Sequence, residues 1–230
     1  MKIIAVADIH GETDFIEKIG PILRNADLAI VAGDITPYGG KGAAQVIESI
    51  HIFQPNVYAI PGNCDNESVS QYLDSKNINL HGRLIEVNGL MFVGIGFSGP
   101  TLSRTPSELS KSDYDILVDK IDAMIPENKE FVLVSHVPPS GTVCDIVFSG
   151  RHAGSKAVRA VIEQKKPLVC ICGHIHDSYG IDNIGRSLIV NPGEASCGGF
   201  AWLDLSCRPI RLGLKNQKCR DSSQKYFSFL

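Results

Sequence analysis

Five times along the chain an apolar run stops and a polar residue able to bind metal follows at once. Lys2–Ala7 runs into Asp8-Ile9-His10-Gly11, Leu28–Ala32 into Gly33-Asp34, and Val57–Ile60 into Pro61-Gly62-Asn63-Cys64-Asp65. Later, Phe131–Ser135 runs into His136, and Leu168–Cys172 into Gly173-His174-Ile175-His176. Short runs rich in Val, Ile and Leu read as buried strands. Sheets of alternating strands and helices bind ligands outside the carboxyl ends of their strands. The pattern therefore predicts one cluster: Asp8, His10, Asp34, Asn63, His136, His174 and His176. Alternate residues of an extended segment share a face, which predicts that Asp8 projects with His10 and His174 with His176.

What separates the runs sets the fold class. Ala43, Val46, Ile47 and Ile50 recur at helical spacing, as do Val158, Val161 and Ile162 behind a capping Ser155. Asp14 and Glu17 read as a capping box opening a helix that Pro21 ends or kinks. Val69, Tyr72 and Leu73 mark a short helix, and Tyr114, Leu117, Ile121 and Met124 a longer one over Asp113–Met124. Leu84–Val87 and Leu90–Ile95 flank Asn88-Gly89, a hairpin turn. Further strands are expected near Ser187–Asn191, Gly199–Leu205 and Pro209–Leu212. Helices between early strands and hairpins later point to an α/β protein with helices outside layered sheets.

Residues 1–230 read as a single domain, with a polar tail over 215–230 expected to fray. A hydrophobic fraction of 43% supports one sizeable core. Two long loops, Gly96–Ser112 and His136–Gly154, are of the kind that carries function. The 22 basic and 25 acidic residues give a net charge of -3 and no basic stripe, so a nucleic-acid partner is not expected. No apolar run has the length of a membrane span, so no membrane partner is expected. No signal-peptide pattern opens the chain, and the seven cysteines read as reduced thiols, giving a cytoplasmic expectation. Cys170 and Cys172 lie inside a strand-like run and read as buried filler.

Seven groups exceed one tetrahedral site, whereas two ions sharing a carboxylate would use them fully. Mixed carboxylate, amide and imidazole donors suit manganese, iron, zinc or nickel, and magnesium is compatible. The ordered set D-x-H, G-D, G-N-x-D, H and G-H-x-H resembles the calcineurin-like metallophosphoesterase family. The likeness runs from Asp8 to His176, and small prokaryotic phosphodiesterase-like members share Gly62-Asn63-Cys64-Asp65. It implies a four-layer α/β/β/α sandwich with two divalent ions at one end of the sheets. Asp8, His10, Asp34 and His176 would hold one ion, and Asp34, Asn63, His136 and His174 the other, with Asp34 bridging. A hydroxide between the ions would attack a small phosphate ester, most readily a phosphodiester.

Asp34 and Asn63 thus take catalytic roles in this reading. Cys64 stands where many relatives place a histidine acid, leaving a substrate-facing thiol that is a poor proton donor at neutral pH. His152 is the alternative catalytic acid, and Arg151 with His152 would contact substrate just before a helix N-terminus. A phosphomonoesterase, a nuclease of the same family, or a non-catalytic scaffold like the retromer subunit are the other readings. A homo-oligomer is compatible with all of them.

Overall fold

Alternate residues of the central strands belong to different cores, and that alternation builds the layers. In β1 (Lys2–Val6) and β2 (Leu28–Ala32), Ile4, Val6, Ala29 and Val31 face one way, and Ile3, Ala5, Leu28 and Ile30 the other. The first set packs under Phe15, Ile16 and Ile19 of α1 (Thr13–Leu23), Val46 and Ile47 of α2 (Ala43–His51) and Val69 of α3 (Glu67–Ser75). The second set meets Val132 and Val134 of β6 (Phe131–Ser135) and Val169 and Ile171 of β7 (Val169–Ile171) across the middle of the molecule. The opposite face of those strands, Phe131, Leu133 and Cys170, lies under Tyr114, Val118 and Ile121 of α4 (Lys111–Asp122) and Val158, Val161 and Ile162 of α5 (Lys156–Lys165). Three apolar interfaces separate four layers, α/β/β/α. Each fully buried Val, Leu or Ile contributes about 1.5–3 kcal/mol of transfer free energy.

The computed structural model describes residues 1–101, 104–208 and 210–215, together with the backbone of 227–228. One sheet runs β12-β11-β10-β1-β2-β3, with β3 at Val57–Ile60, β10 at Phe200–Asp204, β11 at Arg211–Lys215 and β12 at Phe227–Ser228. The other runs β4-β5-β6-β7-β9-β8, with β4 at Leu84–Val87, β5 at Leu90–Ile95, β8 at Gly180–Ile184 and β9 at Ser187–Asn191. Strands β1, β2 and β3 are parallel, as are β5, β6, β7 and β9. Parallel order aims the carboxyl ends of β1, β2 and β3 one way and those of β6 and β7 one way, and every predicted metal-binding residue follows one of these five strands.

Several expectations are corrected. Helix α1 starts a residue before Asp14, its N-cap is Glu12, and no side chain caps it. Pro21 lies within α1 in its last turn, where it deletes one late hydrogen bond and the helix still reaches Leu23. On α4 the buried stripe passes through Val118, while Met124 lies beyond the helix and is 43% exposed. Strand β8 was not expected, because Gly180-Ile-Asp-Asn-Ile184 is too polar to stand out, yet it pairs along all of β9. Asn88 and Gly89 both have positive φ, as the predicted hairpin turn requires. Pro209 and most of the tail expected to fray lie outside the described residues.

Candidate metal centre

The loops that follow the parallel strands continue the ladder and so come together. Asp8 N–H donates to Gly33 O at 3.1 Å and His10 N–H to Asp34 O at 2.9 Å, joining the ends of β1 and β2. His136 N–H donates to Ile95 O at 2.9 Å, and Gly173 N–H to His136 O at 3.0 Å, doing the same for the second sheet. The two sheets are tied by Asp8, whose two carboxylate oxygens each accept from His174 N–H at 3.0 Å.

The backbone here is not extended, contrary to the alternation argument. Asp8, His10, Asp34 and His174 have φ of 52°, 50°, 49° and 70°, four of the ten left-handed non-glycine residues among those described. Left-handed Asp and His residues are uncommon, and such conformations concentrate at functional sites. Two glycines permit the crowding. A Cβ on Gly62 would strike the backbone and carboxylate of Asp34, and one on Gly33 would strike the His136 ring. Gly33 also has a φ of 94°.

One half of the centre holds Asp8, His10, Asp34 and His176, each offering a ligand atom within 4.8 Å of the others. His10 Nε2 and His176 Nε2 face one another at 3.2 Å. Their Nδ1 atoms face oxygens, Thr36 O at 3.3 Å and the Glu194 carboxylate at 3.5 Å. In the neutral imidazole an acceptor at Nδ1 draws the ring proton there, which turns the two Nε2 lone pairs toward each other.

The other half holds Asp34, Asn63, His136 and His174. His136 Nδ1 donates to Ala32 O at 2.9 Å, which leaves its Nε2 as a lone pair 2.8 Å from Asn63 Oδ1. His174 Nδ1 approaches the same oxygen at 2.6 Å. The Asn63 amide cannot be turned to relieve this. Thr105 Oγ1 donates its single proton to the Glu108 carboxylate at 2.8 Å, so it can only accept from Asn63, which it does from Nδ2 at 3.0 Å. Oδ1 is therefore held against His136. Opposed lone pairs in both halves are what a cation between them would resolve, and the oxygen and imidazole donors fit a divalent ion.

Asp34 stands between the halves. Its Oδ1 lies 3.4 Å from His136 Nε2, its Oδ2 3.8 Å from His10 Nε2. Burial raises its carboxyl, but His136 when protonated, the Cys64 N–H and His10 when protonated outweigh that and hold it below the usual carboxylate value. Asp8 goes the other way: burial, then the neighbouring Asp34 charge, raises it well above normal, a repulsion that bound cations would relieve. Burial, then the nearby His136, lowers His174 to about 3, and burial, then His10, lowers His176. Both rings are neutral at pH 7, the form that binds metal.

Cys64 is not part of either half. Burial, then the Asp34 charge, pushes its thiol far above the ordinary range, so it stays protonated. Its backbone N–H donates to Asp34 Oδ1 at 2.8 Å. Asp65 is a tie: fully buried, it accepts from the N–H groups of Ile35, Thr36 and Gly62 at 2.8–3.0 Å and fixes the two loops to each other. His152 lies outside the ligand cluster, with Nδ1 on the buried Asp145 carboxylate at 2.7 Å and the side chain 48% exposed. Arg151 is exposed, its Nε on Ser149 Oγ at 3.3 Å. Their loop joins the centre indirectly, because Ile146 pairs with His152 and its carbonyl accepts from Ser178, two residues past His176. Cys170 and Cys172 are buried, as expected of filler.

Sequence reasoning missed Glu194, Thr105 and Glu108. Glu194 follows β9 as Asn191-Pro192-Gly193-Glu194, so the strand-end rule would have found it had that strand been included. Thr105 and Glu108 lie in the Gly96–Ser112 loop, in a T-x-x-E spacing that suits reciprocal hydrogen bonding. A hollow of about 800 Å³ opens beside His174. A larger one, about 980 Å³, lies at the opposite ends of β6 and β7 around Lys129, Leu168 and Arg186, away from every candidate ligand.

Comparison with known proteins agrees with this architecture. A solved structure from Thermus thermophilus superposes with a TM-score of 0.68 at 18% identity, over 93% of this chain and 98% of that one. A dimetal phosphatase from Danio rerio gives 0.60 at 12% identity, over 94% and 95% of the two chains. These likenesses show the fold. An uncharacterised protein of Methanocaldococcus jannaschii is 37% identical over 206 residues, 85% of this chain and 89% of its own length. The family model for the calcineurin-like phosphoesterase superfamily domain matches residues 1–201. The chain belongs to the calcineurin-like phosphoesterase superfamily.

Proposed function

We propose that the protein is a phosphodiesterase that works with two divalent ions, manganese foremost, held by Asp8, His10, Asp34 and His176 on one side and Asp34, Asn63, His136 and His174 on the other. The observation that carries this reading is the convergence of imidazole, amide and carboxylate donor atoms on either side of Asp34. Bound ions would neutralise charge on the phosphoryl oxygens and lower the pKa of the attacking water. The chain's own part is to hold seven donors in place. Left-handed backbone, glycine clearance and the Thr105–Glu108 pair do this before any ligand arrives, so little reorganisation is left for the reaction itself.

Proton supply to the leaving oxygen is assigned to His152, with Arg151 as a phosphoryl contact. The Asp145 carboxylate on Nδ1 orients the His152 ring, turning Nε2 outward as the atom that would carry the transferred proton. Cys64 keeps its proton and contributes little, which favours esters whose leaving groups need little help. The cysteines lack disulfide partners among the described residues, which fits a reducing, cytoplasmic setting. Among the described residues no helix is long and apolar enough to cross a membrane.

The test is hydrolysis of bis-p-nitrophenyl phosphate after manganese addition, with loss on Asp34→Ala and Asn63→Ala. Absence of turnover with manganese, nickel, zinc and magnesium in turn overturns the reading. For His152, unchanged kcat and KM in His152→Ala on every ester tried would end its role.

A further inference from the structure

The hollow beside His174 is not used by the metal centre, and its walls are specific. Ser98–Thr101 of the long loop form one side, the start of α4 with Lys111 and Tyr114 a second, and Ala153–Ala157 a third. At about 800 Å³ it has the volume of a small-molecule site, far more than a phosphoryl group needs.

Its charges cancel. Lys111 pairs with Asp115 at 2.8 Å, and the remaining charges on the wall, Lys156 and Asp119, are one of each sign. Three of its four hydroxyls are engaged elsewhere, and the fourth, on Tyr114, is buried. Ser98 Oγ donates to Gly99 O at 2.8 Å, Thr101 Oγ1 to Glu108, and Ser155 Oγ accepts the Val158 N–H at 3.2 Å. What remains is carbon surface from Pro100, Val137, Ala153 and Ala157. A second phosphate or a carboxylate would find no net positive charge here. A neutral ring system would find apolar wall from these residues, with Lys156 and Asp119 on the same wall for its polar edge.

We infer that this hollow is a subsite for an uncharged, ring-bearing organic group of aryl or nucleoside size, attached to the phosphate that reacts beside His174. This rests on the phosphodiesterase reading and adds the class of substrate. The position of His174, a candidate ligand that also lines the hollow, connects the two.

The experiment compares two diesters with the same leaving group, methyl p-nitrophenyl phosphate and thymidine 5′-p-nitrophenyl phosphate. Expected is a kcat/KM at least about tenfold higher for the thymidine ester, arising in KM, the scale of filling one apolar pocket. Gly99→Phe adds a ring at the wall of the hollow without a clash, since a Cβ at Gly99 meets no atom within 4 Å. It and Ala153→Phe should collapse the thymidine-to-methyl ratio toward one. Equal kcat/KM for the two esters in the wild type, or a ratio that survives both substitutions, overturns the inference. A parallel arm measures thymidine binding by saturation-transfer NMR with the metal chelated. Binding that both substitutions abolish supports the subsite even if neither ester turns over, in which case the phosphodiesterase reading alone fails. No binding in that arm, with no turnover, overturns both.

Discussion

The two halves of the proposed metal centre would share Asp34 and differ in almost everything else. The half built on His10 and His176 is open, with side chains 19% and 35% exposed, and its Nδ1 atoms face a backbone carbonyl and the partly exposed Glu194. The half built on Asn63 and His136 is the more closed, although its other ring, His174, lines the hollow. His136 is fully buried, and Asn63 is pinned by a chain of hydrogen bonds running back through Thr105 to Glu108. Closed donors cannot be replaced by water when one is lost, whereas open ones can. An ion in the open half should therefore exchange with solvent more readily than one in the closed half.

The largest effect should come from breaking what the halves share. Asp34→Ala should lower kcat/KM by on the order of 10³-fold and remove manganese from both halves, read by calorimetric stoichiometry. Retention of two bound ions would show that Asp34 does not bridge. Next come substitutions confined to one half. Asn63→Ala should reduce manganese stoichiometry from two to one and cost roughly 10²-fold in rate, while His176→Ala should cost less, with excess manganese restoring activity. If His176→Ala is the more damaging, the contrast between closed and open halves is wrong.

A smaller effect sharpens the contrast. Thr105→Val keeps shape but removes the acceptor for Asn63 Nδ2, freeing the amide to turn. Loss of a hydrogen bond that orients a metal ligand typically costs 10–100-fold in affinity, so the tighter manganese Kd should weaken by about that much. Thr105→Ser should restore it, and the weaker Kd should stay put. Both Kd values moving together would mean that the loop supports the whole centre rather than its closed half.

These residues also mark how far the sequence could be read. Strands β2, β3, β4, β5, β6 and β9 match their expected bounds because each is an unbroken or alternating apolar run with a clear stop. The four layers follow once each run is given two buried faces. The order of candidate ligands along the chain was legible because each sits where a strand ends. The conformation that presents them was not. Asp8, His10 and His174 converge through left-handed turns rather than by extended alternation, and a turn of that kind is fixed by contacts to Gly33, Asp34 and Asp8 that no local pattern encodes. Thr105 was invisible for the same reason, being 42 residues from Asn63. Strand β8 escaped because its stability comes from pairing with β9, not from its own composition.

Cys64 offers the finest test, since it touches the closed half without being a ligand. Its backbone N–H holds Asp34 Oδ1, its thiol also bonds the Asp34 carboxylate, and its sulfur accepts a weak contact from Asn63 Nδ2 at 3.6 Å. Replacing the thiol by imidazole leaves the backbone contact intact and places a proton donor within the site. Cys64→His should therefore raise kcat several-fold on alkyl esters, where leaving-group protonation limits the rate, and leave nitrophenyl esters nearly unchanged. Manganese affinity should stay as it was in both halves. An equal effect on both ester classes would mean that position 64 does not set the chemistry. A fall in the tighter manganese Kd alone would mean that the thiol, through Asn63, belongs to the closed half after all.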